Sequence, residues 1–285
     1  MKNVNFPSVQ AVPHPTKLVF QLDGTELVSY NHIHALYRPY LFPVIGPSGR
    51  YLTRISHPHD PIGHRHHYSI WLAHHNINGV DFWSDADKSG KQIHQNFLEF
   101  EDAPDFAKMV AQVLWQTPDG KVLLDENKQI TIRLLESKQY FIDMDLTFNA
   151  VEDIHFGKTN FGLLGVRVSK TMGVHDGGGN ITNSEGDIDE EQVFGKRARW
   201  CDYSGPVTPT EGNGITIFDH PSNYDHPVHW HVRNDGWMCP SLFFETALNL
   251  PAGQKLSVKY RLFVHAGATD VEIIERHYQR YSSET

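Results

Sequence analysis

Cysteine is scarce. Cys201 and Cys239 are the only two in 285 residues, so one disulfide is the most the chain can form. A fold held by a disulfide framework is excluded, and two reduced, buried thiols are expected. No run approaches the ~20 apolar residues that span a bilayer as a helix. Met1 to Thr16 lacks the apolar core of a secretion signal, which points to the cytoplasm. Positive charge is in deficit, with 25 basic against 34 acidic residues and a net charge of −9. That balance disfavours a nucleic-acid backbone or an anionic membrane surface as partner. Internal repeats, low-complexity tracts and linkers are absent, so residues 1–285 are expected to form a single domain.

What the chain has instead is alternation. Short segments of period two, separated by turn residues, dominate it. Lys17–Gln21 and Glu26–Tyr30 flank Asp23-Gly24, a hairpin signal. Tyr51–Ile55, Tyr68–Ala73, Asn96–Phe100, Met109–Gln116 and Lys121–Leu124 read as strands, the last two around Asp119-Gly120. Gln129–Glu136, Tyr140–Asn149, Phe161–Ser169, Ile215–Phe218, His229–Arg233, Leu242–Leu248 and Lys255–Val264 continue the series. The expectation is an all-β fold, a large antiparallel β-sandwich, with one short C-terminal helix. That helix carries Val271, Ile274, Tyr278 and Tyr281 on one face, behind a Thr269/Glu272 capping box. Thr171–Pro209, rich in Gly, Asp and Glu, reads as a long functional or mobile loop.

Histidine is abundant, at 19 residues, and clumped. One group holds His57, His59, His64, His66, His67, His74 and His75, and another holds His220, His226, His229 and His231. The pattern H-x-H occurs at 32/34, 57/59, 64/66 and 229/231. On a strand, residues i and i+2 share a face at roughly 6.5–7 Å, so two imidazoles can converge on one ligand. By the same rule His66 and His67 would point to opposite faces. Two chemistries follow. Neutral imidazoles can bond sugar hydroxyls and move protons near neutral pH. Alternatively, His64, His66, His229 and His231 could hold a divalent transition metal, although no helical HExxH signature is present.

Other residues fit around these clusters. Trp71, Trp83 and Trp200 are candidate stacking platforms for a sugar, as are Phe82, Trp230 and Trp237. Arg38, Arg167 and Arg233 are candidates to clamp a carboxylate or phosphate. Asp81 and Asn223 are polar candidates for substrate binding. Glu245, set in Phe243-Phe244-Glu245, is a candidate acid or base, because apolar neighbours would raise its pKa.

The motifs also carry a resemblance. Arg38-Pro-Tyr-Leu-Phe-Pro-Val, His64-Arg-His-His-Tyr-Ser-Ile-Trp71, Asn78-Gly-Val-Asp-Phe-Trp83, Gly195-Lys-Arg-Ala-Arg-Trp200 and His229-Trp-His-Val-Arg233 resemble a bacterial family of unassigned function. Its members are labelled "methane oxygenase PmoA-like". The membrane methane monooxygenase subunit of that name is a different protein, since this chain has no spanning segment. The resemblance implies the supersandwich of aldose-mutarotase-like proteins and a link to sugar catabolism. It implies site roles for His66, His67, His231, Arg233 and Glu245. Where that family has an acidic residue before its histidine motif, this chain has Gly63, with Asp60 nearby. The resulting expectation is an enzyme acting on a small-molecule sugar or sugar acid, with His66, His67, His231 and Glu245 as acid–base groups. A metal-dependent enzyme and a non-catalytic sugar-binding protein are the alternatives.

Overall fold

The computed structural model describes residues 6–55 and 64–284. His57, His59, Asp60 and Gly63 lie outside the described residues. Two eight-stranded antiparallel sheets form the body. The first runs in the order Val9–Pro13, Lys17–Leu22, Thr25–Asn31, Tyr40–Val44, Ile70–His74, Gly162–Arg167, Trp237–Ser241 and His229–Arg233. The second runs Asn180–Asn183, Trp200–Pro206, Gly212–Asp219, Lys255–Ala266, Tyr140–Ala150, Val122–Leu134, Phe106–Gln116 and Lys91–Asp102.

Alternation and turn chemistry produce this arrangement. In Phe106–Gln116 the residues Ala107, Met109, Ala111, Val113 and Trp115 are buried, and those between them are half-buried. They share one core with Leu18, Phe20, Val28 and Tyr30 of the facing sheet. Each large apolar side chain so removed from water stabilises the fold by roughly 1.5–3 kcal/mol. A Val113→Asp change would lose that and bury an unpaired charge. At the first hairpin Asp23 and Gly24 both take positive φ, 48° and 81°, as a two-residue type I′ turn requires.

The structure departs from the sequence reading in several elements. Lys121–Leu124 and Gln129–Glu136 are one strand, Val122–Leu134. Its polar middle looked like a break, but Glu126 is buried, accepting from Trp115 Nε1 at 2.8 Å and lying 3.6 Å from Lys128 Nζ. Tyr51–Ile55 makes only isolated bridges. Leu242–Leu248 is mainly a turn: the Phe244 amide donates to the Ser241 carbonyl, while Leu242 and Phe243 fill the core. The segment Thr171–Pro209 is not one loop. It supplies the strand Asn180–Asn183, the short helix Asp189–Val193 and the strand Trp200–Pro206.

The C-terminal helix runs Val271–Ser282, and its cap is Asp270, which accepts from the Ile273 amide. Thr269 donates instead to the buried Asp202 at 2.6 Å. Ile274, Tyr278 and Tyr281 pack on Phe141, Trp200, Phe218 and Phe263 of the second sheet. Both cysteines are free and buried.

Candidate active site

The outer face of the first sheet carries the site. Alternation divides its central strands: Ile70, Leu72 and Met238 enter the main core, while Trp71, Ala73, Trp237 and Cys239 form a second cluster on the other side. Gly165 pairs with Trp71, and Arg167 pairs with Trp237. A Cβ at Gly165 would sit 2.7 Å from the Trp237 ring and 3.0 Å from that of Trp71, so glycine lets both indoles lie against the sheet. On the neighbouring strand Trp230 and Val232 face the core, leaving His229, His231 and Arg233 on the outer face.

A cleft of about 470 Å³ opens over this face. Aromatic rings line much of it, with Trp83, Phe161 and Trp237 at mutual centroid distances of 5.2–5.3 Å along the chain of contacts Phe161–Trp83–Trp237. His64, His66 and His67 come from a turn, closed by the His67 amide donating to the His64 carbonyl at 3.1 Å. The turn corrects the strand-based expectation for His66 and His67, because both rings reach the same cleft. His67 stacks on His64 at 4.7 Å and on Trp237 at 4.8 Å, and His66 stands edge-on to it at 4.6 Å.

Arg38 acts beneath the cleft rather than in it. It is 1% exposed and donates to the carbonyls of Trp83 at 2.7 Å and Ser84 at 3.2 Å, and to the Asp85 carboxylate. It thereby clamps the loop that presents Asp81 and Trp83. Asp81 accepts from the amides of Trp83 and Ser84 and from the Ser84 hydroxyl. Burial pushes its carboxyl up, but these bonds outweigh burial and hold it below its ordinary range. His75 faces Asp81 at 3.4 Å.

His231 is the cleft histidine whose protonation is best defined by its partner. Its Nδ1 lies 2.9 Å from the Asn160 carbonyl, which can only accept, so Nδ1 carries the proton. Nε2 is then left with its lone pair. Burial, the largest cause, lowers its pKa to about 4, with Arg233 adding to the shift and the Asn160 carbonyl opposing it. His66 is also lowered to about 4, by burial first and then by Arg38. His67 falls well below its ordinary value for the same first reason. All three rings are therefore neutral at pH 7. Arg167 is held by Asp235 through bonds of 2.9 and 3.3 Å. Arg233 bonds Glu190 at 3.0 Å and lies 4.3 Å over the Phe194 ring.

The other sequence candidates lie elsewhere. Trp200 is fully buried under the C-terminal helix, donating to Glu275 at 3.0 Å. Asn223 is a buried brace, donating to Asp219 and to the Lys259 carbonyl. Trp71 forms the floor beneath the cleft. Glu245 is 58% exposed, with His229 at 3.6 Å and Arg197 at 3.9 Å, so the apolar setting inferred for it is absent. His229 stacks on Phe244 instead of entering the cleft. The four histidines suggested for a metal are thus divided between two places. Among the described residues no group of three or more His, Cys, Asp or Glu is arranged to hold a metal ion. No helix among the described residues is long and apolar enough to cross a membrane. Phe161 and Asp235 went unnoticed in the sequence. Asp235 precedes Gly236 and reads as a turn residue, and Phe161 reads as an ordinary strand start.

A family model matches residues 17–279. The chain belongs to DUF6807, a family of unknown function. This finding replaces the PmoA-like assignment drawn from the motifs, because the match is to DUF6807 and to no PmoA-like family. No curated protein matches the chain in sequence. In solved structures the layout is similar to galactose 1-epimerase from Lactobacillus acidophilus NCFM, at 8% identity and a TM-score of 0.46, covering 92% of this chain and 100% of that one. It is also similar to a mutant of the heparan sulfate lyase HepC from Pedobacter heparinus, at 12% identity and a TM-score of 0.43, covering 94% of this chain and 38% of that one. An α-galactosidase from Lactobacillus brevis matches at 8% identity and a TM-score of 0.42, covering 92% and 40%. These neighbours are carbohydrate-active enzymes. The chain spans well under half of the lyase and galactosidase chains. At such identities the likeness concerns layout alone.

Proposed function

We propose that this chain is a carbohydrate-active enzyme and that the His231 cleft binds a sugar ring and moves a proton on it. The observation that carries this reading is the His231–Asn160 bond, which fixes an imidazole lone pair at the wall of an aromatic cleft. A pyranose offers apolar C–H faces to Trp83, Phe161 and Trp237, and hydroxyls to the imidazoles and carboxylates around them. The Nε1–H of Trp237 and the Nδ1 of His67 are buried and have no partner among the described residues. Leaving such a group unsatisfied costs about 1–3 kcal/mol, a cost that a small rotation of either ring toward a ligand hydroxyl would remove.

In this reading His231 accepts the proton at Nε2. The imidazolium that forms is stabilised by the Asn160 carbonyl, by Glu190 and by Asp235, each of which favours the charged ring. His66, neutral and lining the same cleft, is the candidate partner, whereas Glu245 lies against His229 and Arg197 and is given no part in this reading. The test is to incubate the protein with a panel of aldoses and follow conversion by NMR. His231→Gln should remove conversion with the melting temperature nearly unchanged. Conversion that survives this change would contradict the assignment.

A further inference from the structure

The arginines of the cleft invite comparison with sites that read acidic ligands, which present guanidinium donors not already taken by a protein carboxylate. Here the described groups are arranged differently. Arg167 is 2% exposed and is gripped by both oxygens of Asp235. Arg233 is bonded to Glu190, whose second oxygen accepts from the Asn234 amide, so that carboxylate is itself fixed in place. Arg38 is consumed by Asp85 and by two carbonyls of the loop it clamps. Asp81 stands at the cleft wall with no arginine paired to it, facing His75 instead. Among the described residues the cleft lining therefore holds two carboxylates, Asp81 and Asp235, and two guanidiniums, Arg167 and Arg233, each already bonded to a carboxylate, Asp235 or Glu190.

We infer that the cleft is built for a neutral polyhydroxylated ring and discriminates against the corresponding sugar acid. The inference rests on the sugar-site reading above and narrows its substrate class. A ligand carboxylate entering here would meet guanidiniums already bonded to carboxylates and, at Asp81, a like charge. To take the place of the carboxylates now bonded to Arg167 or Arg233 it would have to displace Asp235 or Glu190. A hydroxyl brings no charge and can donate to Asp81 or Asp235. The neutral imidazoles of His66 and His231 act in the same direction, because each accepts from a hydroxyl and neither offers a cation to an anion.

The experiment is a matched binding series, with glucose, galactose and mannose set against glucuronate, galacturonate and mannuronate, titrated by calorimetry near pH 7. At least one neutral sugar should bind tenfold or more tightly than its uronate. Asp235→Asn, which removes the Asp235 charge held against Arg167, should narrow that ratio at least threefold. If that variant melts much earlier than the parent, Glu190→Gln frees Arg233 for the same comparison. A uronate that binds as well as its neutral partner overturns the inference and leaves the sugar site standing. A ratio unmoved in a folded variant overturns it as well, because the exclusion then does not come from the paired guanidiniums. Failure of every sugar, neutral or acidic, to bind overturns the site reading and this inference together.

Discussion

His231 and His265 are both 3% exposed, yet their neighbours push them in opposite directions. His231, on the outer face of the first sheet, has a carbonyl as partner, and burial lowers its pKa to about 4. His265, in the second sheet, lies 2.8 Å from the buried Asp202 carboxylate. Burial lowers His265 too, but the Asp202 charge and hydrogen bond outweigh it and raise the pKa. Asp202 also accepts from Thr216 and Thr269, so this pair ties the last long strand to the start of the C-terminal helix. His226 also lies against a buried carboxylate, that of Asp219, at 2.6 Å. A buried carboxylate partner makes histidine a brace, whereas a carbonyl partner leaves a neutral ring with a lone pair to use. Histidine count alone cannot separate the two, but the partner can.

The comparison can be broken most forcefully by His231→Gln. Turnover should fall by about 10²–10⁴, the usual range for a lost proton-transfer group. Stability should stay within about 1–2 kcal/mol, as measured by thermal melting. On the brace side, Asp202→Ala should cost about 3–5 kcal/mol of stability, since it leaves a buried histidine without its partner. Sugar affinity in the surviving folded fraction should be unchanged, and a loss of affinity matching that of a cleft variant would erase the distinction.

Two smaller effects sharpen the comparison. Gly165→Ala places a methyl 2.7 Å from the Trp237 ring and must displace it, so sugar affinity should weaken several-fold while the sheet remains folded. The pH dependence follows from the signs. The pKa of His231 is depressed, so on acidification the unfolded chain takes up its proton first, near 6.5, and stability falls as pH drops from there toward 4. The pKa of His265 is raised, so its contribution is fully present below 6.5 and is lost as pH rises through its folded value. Turnover should therefore stay level from neutral pH down to about 5 and decline with a midpoint near 4. A midpoint near 6.5 would mean that the catalytic imidazole is solvated.

Much of the fold was legible because its signals are local. Asp23-Gly24 marked one hairpin, Met109–Gln116 read as a strand, and alternation put His229 and His231 on one face. The reading failed where tertiary contacts override period two. Glu126 and Lys128 look like surface residues but are buried together. His64, His66 and His67 sit in a turn, where i and i+1 need not diverge. The site was legible in composition and less so in membership. Trp200 and Asn223 resemble binding residues in sequence, yet they serve the helix and a loop brace. No local pattern marks Phe161 and Asp235, because they reach the cleft only when distant strands pair.

The account depends most on the state of a single ring. Long-range ¹H–¹⁵N correlation of the histidine imidazoles, recorded at pH 7 before and after adding a neutral hexose, examines it directly. The account predicts a neutral His231 with its proton on Nδ1, an Nε2 resonance that moves on sugar addition, and a His265 that does not respond. A His231 that carries its proton on Nε2, or whose resonances ignore every sugar tried while those of His265 shift, would contradict it.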